Sequence, residues 1–330
     1  MRRLLALVMV TGCAMPGERT ENGCPSDEIC APLPQGLYFA GAALGDEELS
    51  SQGWAAPHPT AVGGRQTIRV LGGPFLDSPP FGIPYVANVD GGSLRVSTQS
   101  DADVGIIGTA PGWSYLRIAE LGTDRLYDRI QLPVMTAVDA SVRQPAYRLD
   151  APRRTANPDN FVLWAGRELP LVVALRAGDG SRLVDDSLTV NGVAGSTWDV
   201  VTVVAAPDTA TLDVRAGGRY IPATIHATDF VSAIGVTGTP FTAGGGFVRI
   251  CFQASSDGQD IYGVPYAFAG GDISTAGEEE GCALVRGNSV TVYAGGLARD
   301  FTVIGLDKPA GKPQFPLEAG PAAGERASLN

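Results

Sequence analysis

The chain has 330 residues, of which 44% are hydrophobic and 18% are charged, so it is long enough for two or three domains and apolar enough for each to have a core. Its formal net charge of -11 disfavours nucleic acid and anionic lipid as partners, because both repel an acidic surface. The 43 glycines and 24 prolines favour many turns over long helices.

The first twelve residues have the layout of an export signal. Arg2 and Arg3 precede an apolar run over 4–10, which is too short to span a bilayer as a helix. The following Val10-Thr11-Gly12-Cys13 resembles the lipobox of bacterial lipoproteins. The resemblance implies cleavage before Cys13, a diacylglyceryl thioether on its sulfur, and acylation (palmitate, for example) of the new N-terminus. Several acyl chains give stable anchoring, and Ala14 at the next position favours the outer membrane by the same resemblance. The alternative is an ordinary cleaved signal that has a chance cysteine beside it.

Four further cysteines predict disulfides in an exported chain, and four cysteines allow three pairings. The simplest pairing is local, with Cys24 bonded to Cys30 and Cys251 bonded to Cys282. The second bond would close a loop within the last domain and contribute about 3–4 kcal/mol to stability. A zinc site is the alternative, but the spacing is a poor match to zinc-binding patterns. No metal and no cofactor are therefore predicted.

Short strands dominate the middle of the chain. Period-two alternation bounded by Gly, Pro, Asp and Asn predicts strands, and it occurs over 67–71, 93–97, 115–119, 171–175, 211–214, 247–252 and 289–293. Only residues 46–49 suggest a short helical turn. This regular series predicts an all-β fold built from sandwiches or barrels.

A weak internal repeat points to a family. Ala110-Pro111-Gly112 precedes the alternating run that contains Leu116, and Ala206-Pro207-Asp208 precedes Leu212 at the same offset. A turn of this kind that leads into an alternating strand resembles bacterial Ig-like domains. The resemblance implies tandem Ig-like β-sandwiches over 37–142 and 143–234, and a third sandwich, Ig-like or of another type, over 235–307. A signal peptide (1–12) and a lipidated, flexible tether (13–36) precede them, and a disordered tail (308–330) follows.

No catalytic residue is predicted. The chain has only two histidines, His58 in an Ala-Pro-His-Pro turn and His226 in a predicted strand, and we interpret both as structural. Acidic pairs could serve glycoside hydrolysis or calcium binding, but on an acidic protein they more commonly occupy solvated turns. The pairs are Asp101 with Asp103, Asp185 with Asp186, Asp257 with Asp260, and the run over 278–280.

The four tryptophans are the remaining candidates for a binding surface. Core packing is the default expectation for Trp54, Trp113, Trp164 and Trp198. Exposed tryptophans on a β-sandwich would instead offer aromatic faces to sugar rings.

The sequence therefore predicts a cell-envelope lipoprotein of structural or interaction type, which is not an enzyme. Its expected partners are the membrane, through lipid on Cys13, and a protein or polysaccharide ligand, but not nucleic acid. One alternative is a carbohydrate-binding module or adhesin that uses exposed aromatic residues. A second is a glycosidase-like enzyme with two acids across a cleft, at roughly 5–10 Å. A third is a periplasmic assembly partner with an unpaired strand edge.

Overall fold

A computed structural model of the protein describes residues 36–42, 44, 54–123, 125–145, 155, 159–194, 199–275 and 280–303. The regular elements in these ranges are β-strands and one 3-10 helix over Gly244–Gly246, so the all-β prediction is confirmed. The chain divides into two compact units, residues 1–233 with 254–264, and residues 234–253 with 265–330. Across the described ranges, no helix is long and apolar enough to cross a membrane.

Several predictions concern residues outside those ranges. They are the signal peptide, Cys13, the tether up to residue 35, Cys24, Cys30, the helical turn at 46–49, Trp198, residues 278 and 279 of the acidic run, and the tail over 308–330. The three predicted sandwich boundaries also stay predictions.

The first unit begins with a sandwich of nine strands. They are β1 (Tyr38–Ala42), β2 (Trp54–Ala55), β3 (Thr60–Ala61), β4 (Arg65–Leu71), β5 (Tyr85–Asp90), β6 (Leu94–Gln99), β7 (Asp103–Gly108), β8 (Gly112–Glu120) and β9 (Leu126–Met135). One sheet has the order β2-β1-β4-β7-β6, and the other has the order β3-β9-β8-β5. Apart from β2 and β3, these orders are the A-B-E-D and G-F-C sheets of an immunoglobulin sandwich. Both sheets contribute to one core, in which Ile68, Ile106, Leu116 and Ile118 are fully buried.

The first unit continues with a second group of strands. They are β10 (Ala137–Arg143), β11 (Val162–Trp164), β12 (Glu168–Ala177), β13 (Arg182–Leu183), β14 (Thr189–Val190), β15 (Val193–Ala194), β16 (Val200–Val204), β17 (Thr211–Ala216), β18 (Arg219–Thr224) and β19 (Ala227–Thr228). In one sheet β12 pairs with β10, β13 and β16, and the facing sheet has the order β15-β14-β17-β18. The short strand β11 pairs in parallel with β19, much as β3 pairs in parallel with β9 in the first sandwich.

The remaining strands are β20 (Ala233–Thr242), β21 (Val248–Ser256), β22 (Gln259–Tyr262), β23 (Tyr266–Ala269), β24 (Asp272–Ser274), β25 (Cys282–Arg286), β26 (Ser289–Ala294) and β27 (Leu297–Thr302). In the second unit β21 pairs with β20 and β25, and β25 pairs with β24. The other sheet has the order β23-β26-β27. The two orders again match the A-B-E-D and C-F-G sheets of an immunoglobulin sandwich.

The second unit contains the predicted disulfide between Cys251 and Cys282. The two residues lie directly opposite each other on β21 and β25. The next pair is hydrogen-bonded, because the Phe252 N–H donates to the Gly281 carbonyl at 2.7 Å. The cysteines therefore occupy a non-hydrogen-bonded position, where side chains of antiparallel strands approach most closely. The bond joins neighbouring strands of one sheet rather than the two sheets.

The repeated turn of the sequence joins one sheet to the other in both sandwiches of the first unit. It connects β7 to β8 and β16 to β17. Gly112 has a φ of +141° in the first copy, and an added Cβ would lie 2.5 Å from the Ser93 Oγ. Asp208 has a φ of +62° in the second copy. Aspartate is among the few non-glycine residues that adopt this left-handed conformation readily, which explains how the repeat survives without glycine.

Candidate functional site at the junction of the first two sandwiches

The short strand β3 connects the first two sandwiches of the first unit. On one side it pairs with β9 of its own sandwich. On the other side Thr60 forms a parallel bridge with Val184, which lies between β13 and β14 of the second sandwich. The Ala61 N–H donates to the Val184 carbonyl at 3.0 Å, and the Val184 N–H donates to the Pro59 carbonyl at 2.9 Å. Ala61 itself is part of the apolar core of the second sandwich.

The carboxylate of Asp185 is the polar centre of this junction. Its side chain is 4% exposed. Its Oδ1 accepts the backbone N–H of Arg65 from the first sandwich at 3.0 Å, and its Oδ2 accepts that of Gly217 at 2.7 Å. The Ser187 N–H also donates to Oδ1. One buried anion therefore holds backbone groups from both sandwiches, which explains how a charged group is tolerated there.

Two glycines allow the backbones to approach closely at the same place. Gly63 and Gly217 have φ values of +77° and +56°. An added Cβ would lie 2.4 Å from the Gly217 carbonyl oxygen in the first case and 2.0 Å from the Val62 carbonyl oxygen in the second. Both distances are shorter than van der Waals contact, so only glycine fits at either position.

The carboxylate of Asp186 accepts fewer hydrogen bonds than that of Asp185. Its Oδ2 accepts the Thr67 hydroxyl at 3.0 Å, whereas its buried Oδ1 has no hydrogen-bond partner. Burial raises the pKa of Asp186 to about 6, the hydrogen bonds from Thr67 oppose that rise, and repulsion from Asp185 adds to it. The expectation that Asp185 and Asp186 occupy a solvated turn is therefore wrong, because both carboxylates are enclosed where the two sandwiches meet.

The raised pKa of Asp186 predicts a specific pH dependence. Folding favours the protonated carboxyl, so the Asp186 contribution to unfolding free energy falls as pH rises from about 4 to about 6 and stays low above that. We expect Asp186→Asn, which keeps an oxygen for Thr67 but is never charged, to gain about 1–3 kcal/mol over wild type at pH 7.5 and little at pH 4. Denaturant unfolding of both proteins at the two pH values measures this. An equal difference at both values would contradict it.

A second short strand, β11, also pairs in parallel with a neighbour on each side, as β3 does. This strand pairs in parallel with β19 on one side and with β22 on the other, where Leu163 is opposite Tyr262. Tyr262 is fully buried, and its hydroxyl donates to the Pro170 carbonyl at 3.0 Å. The Arg167 guanidinium donates to the Gly263 carbonyl at 2.9 Å. Within the first unit, each of these short parallel strands thus has a neighbour on both sides.

An apolar cleft of about 370 Å³ lies beside the first junction. It is lined by residues 111–113 and 133–136, by Val138, and by residues 177–179. Trp113, which lies opposite Pro133 on β8 and β9, is 60% exposed, and Val138 is 57% exposed. The expectation that Trp113 is a core residue is therefore wrong, and its ring is available to a ligand.

Asp179 is the only acidic residue that lines the cleft. The Ser181 N–H donates to its Oδ1 at 2.9 Å, and this bond holds the pKa of Asp179 below its ordinary value. A charged acceptor near an exposed indole suits ligands that combine a flat apolar face with hydroxyl groups, as sugars do. The two opposed carboxylates that a glycosidase would need are absent from the residues that line this cleft.

The other candidate residues do not converge on one site. The Arg69 guanidinium lies over the Trp54 ring, 4.2 Å from the ring centre, and Trp164 packs against the core of the second sandwich. Asp103 is paired with Arg69 at 2.8 Å. His58 is half-buried. His226 is exposed and lies between β18 and β19, so the prediction that it lies within a strand is wrong. Within the described ranges, no group of three or more His, Cys, Asp or Glu side chains is placed to hold a metal ion.

No protein-family model and no curated protein matches the chain. Solved structures that match include the Escherichia coli adhesin FdeC, with 15% identity over 84% of this chain and 100% of that one, at a TM-score of 0.23. Invasin, a bacterial integrin-binding protein, is 12% identical over 81% of this chain and 60% of its own, at 0.20. Domains 5-6 of the S-layer protein SbsC are 13% identical over 78% and 97%, at 0.24. At identities and TM-scores this low, these likenesses identify neither a ligand nor an activity for this chain.

Proposed function

We propose that this protein is a cell-envelope lipoprotein of structural or interaction type, which presents Ig-like sandwiches from a membrane anchor. Lipid on Cys13 supplies the anchor, residues 13–36 form the tether, and the outer membrane is the membrane concerned. In this proposal the protein performs no catalysis and uses no cofactor or metal. Its ligand is a protein or a polysaccharide.

The observation that carries the proposal is the junction centred on Asp185. A protein that presents binding surfaces away from a membrane gains from domains that move as one body, because fixed geometry lowers the entropic cost of binding. Contacts between domains of one chain leave relative motion as the default unless the interface is extensive. Here a parallel strand, a buried carboxylate and two close-packed glycines join the sandwiches. This arrangement supports a stiff presenting module.

The anchor is tested by the intact mass and detergent partitioning of protein from its native envelope, beside a Cys13→Ala variant. We expect the native protein to enter the detergent phase and to carry acyl mass on Cys13, because several acyl chains bind membranes stably. The variant should remain in the aqueous phase without that mass. A native protein that is unmodified and aqueous would contradict the anchor.

The exposure of Trp113 favours one second candidate, a carbohydrate-binding module. The ring lines an apolar cleft that also contains the charged Asp179, and such a surface suits a pyranose ring. In affinity gels that contain soluble polysaccharides, we expect Trp113→Ala to weaken any retardation by about tenfold or more, the usual loss when a central aromatic contact is removed.

Tyr220→Ala is the matched control, because Tyr220 is 57% exposed but does not line the cleft. It should leave the retardation unchanged. A Trp113→Ala protein that is retarded as strongly as wild type would rule out this candidate.

A further inference from the structure

A five-residue motif occurs twice in the chain, once in the first sandwich and once before β23. Phe81-Gly82-Ile83-Pro84-Tyr85 and Tyr262-Gly263-Val264-Pro265-Tyr266 share the order aromatic, glycine, aliphatic, proline, tyrosine. Before each copy, the chain turns back and pairs with the strand that precedes it. Pro80 forms a bridge to Leu71 at the end of β4, and β22 pairs with β21. Each ends at the first residue of the next strand, β5 or β23. The two segments are therefore structural equivalents.

The second copy shows what this segment does when it is covered. Tyr262 pairs in parallel with β11, and it is fully buried. Gly263, with a φ of +83°, lies so close to Leu169 that an added Cβ would be 2.2 Å from that side chain. Val264 is 1% exposed. In this copy, each residue from 262 to 264 is enclosed or in close contact.

The second sandwich has an equivalent segment without the sequence motif. Val184, Asp185 and Asp186 follow β13, which folds back on β12, and they lead towards β14. Val184 is 2% exposed and pairs in parallel with β3. In both cases the strand that pairs with the segment is a short strand, β3 or β11, which also pairs in parallel with a strand on its other side, β9 or β19.

The copy in the first sandwich is exposed instead. Ile83 is 46% exposed, whereas its equivalent Val264 is 1% exposed. Gly82 and Pro84 are exposed as well. Phe75, in the same connection between β4 and β5, is 65% exposed. Phe81 is enclosed, because its ring packs inside its own sandwich against Tyr127, and Tyr85 at the start of β5 is buried as well. The structure thus leaves apolar side chains in water at the position that is covered in the other two cases.

We propose that residues 80–84 dock in parallel onto the short edge strand of an Ig-like sandwich that belongs to a different protein. The two covered equivalents define this partner surface: a strand edge that offers backbone groups beside an apolar residue. In a second copy of this chain the two described short parallel strands, β3 and β11, are already occupied, because each has neighbours on both sides. The proposal rests on the interaction role proposed above and gives that role a partner class.

Photo-crosslinking of the full chain in its native envelope tests this docking. A photoreactive amino acid is placed at Phe75, and the linked peptides are identified by mass spectrometry. We expect an adduct to a strand at the edge of an Ig-like sandwich in another protein. Ile83→Glu in the same chain should reduce that adduct at least tenfold, because a charge would have to be buried at the contact. A probe at Val193, which is 53% exposed on β15, is the matched control and should not give the adduct.

The other outcomes overturn the proposal. They are no adduct, an adduct within the same chain, an adduct to a second copy, and an adduct to a protein or polysaccharide without such a strand. An adduct that Ile83→Glu leaves unchanged also overturns it. Fractionation of the same cells reports the membrane anchor separately. A chain that remains anchored but gives no adduct therefore contradicts the docking and leaves the proposed function intact.

Discussion

Replacing Asp185 by alanine is expected to lower the unfolding free energy of the first unit by about 3–5 kcal/mol. The substitution removes the acceptor of three backbone N–H groups, those of Arg65, Ser187 and Gly217. A buried donor that loses its acceptor costs about 1–3 kcal/mol, and more than one is affected here. Because the Arg65 and Gly217 donors come from different sandwiches, the loss should also loosen the junction.

Denaturant unfolding of the full chain measures this effect, with hydrogen exchange to locate it. Exchange should accelerate at Arg65 and Gly217 in Asp185→Ala and stay unchanged in the core strand β8 until global unfolding. Asp229→Ala is the matched control, because Asp229 is an exposed aspartate in the same unit and its loss should cost less than about 0.5 kcal/mol. A cost below about 1 kcal/mol for Asp185→Ala would contradict a stabilising role at the junction.

Removal of the Cys251–Cys282 disulfide should lower the stability of the second unit by about 3–4 kcal/mol. The bond closes a loop with a sequence separation of 31, and loop-closure entropy gives a loss of this size. The double variant Cys251→Ser with Cys282→Ser also places two hydroxyl groups where a buried, apolar bond stood, since Cys282 is 1% exposed. That change adds to the loss.

Hydrogen exchange of the full chain separates this effect from a general one. Amide protection should fall in residues 248–253 of β21 and in β25 and β26, which belong to one unit, and should be unchanged in β8 and β12, which belong to the other. This internal comparison matters because a chain of several domains does not unfold in a single step. Equal protection in the oxidised protein and in the double variant would contradict the prediction.

The strands were predictable because alternation records which side chains face a core. In β8 the residues Ser114, Leu116 and Ile118 are buried while Tyr115 and Arg117 between them are half-buried, as the alternating pattern indicates. The turn before β8 was predictable for a local reason as well, since Gly112 adopts a backbone conformation that favours glycine.

The junction was not predictable from local sequence. Asp185 and Asp186 form an acidic pair like the other pairs in the chain, and what distinguishes them is Arg65, which lies 120 residues away in sequence. The same holds for Tyr262, whose hydrogen-bond partner Pro170 is 92 residues away. Burial of a charge depends on partners that only the folded chain brings together. For the Tyr262 contact the sequence did contain a signal, which is the motif repeated at 81–85 and 262–266, but Asp185 and Asp186 lie outside that motif.

For Trp113, in contrast, the local sequence did contain the information, and the general burial tendency of tryptophan gave the wrong expectation. Burial tendencies place tryptophan in cores, yet this one is exposed, because the residue faces outward at the start of β8. Alternation with the buried Ser114 and Leu116 indicates an outward position for residue 113, and that local signal outweighs the general tendency of the residue type.

Whether the first two sandwiches move as one body is measured most directly by the distance between spin labels in the full chain. Labels carried by unnatural amino acids at Arg95 and Val193 would report from β6 and β15, both at exposed positions. A stiff junction predicts one narrow distance distribution in the wild-type protein and a broad one in Asp185→Ala. A distribution that is already broad in the wild-type protein would contradict a stiff presenting module.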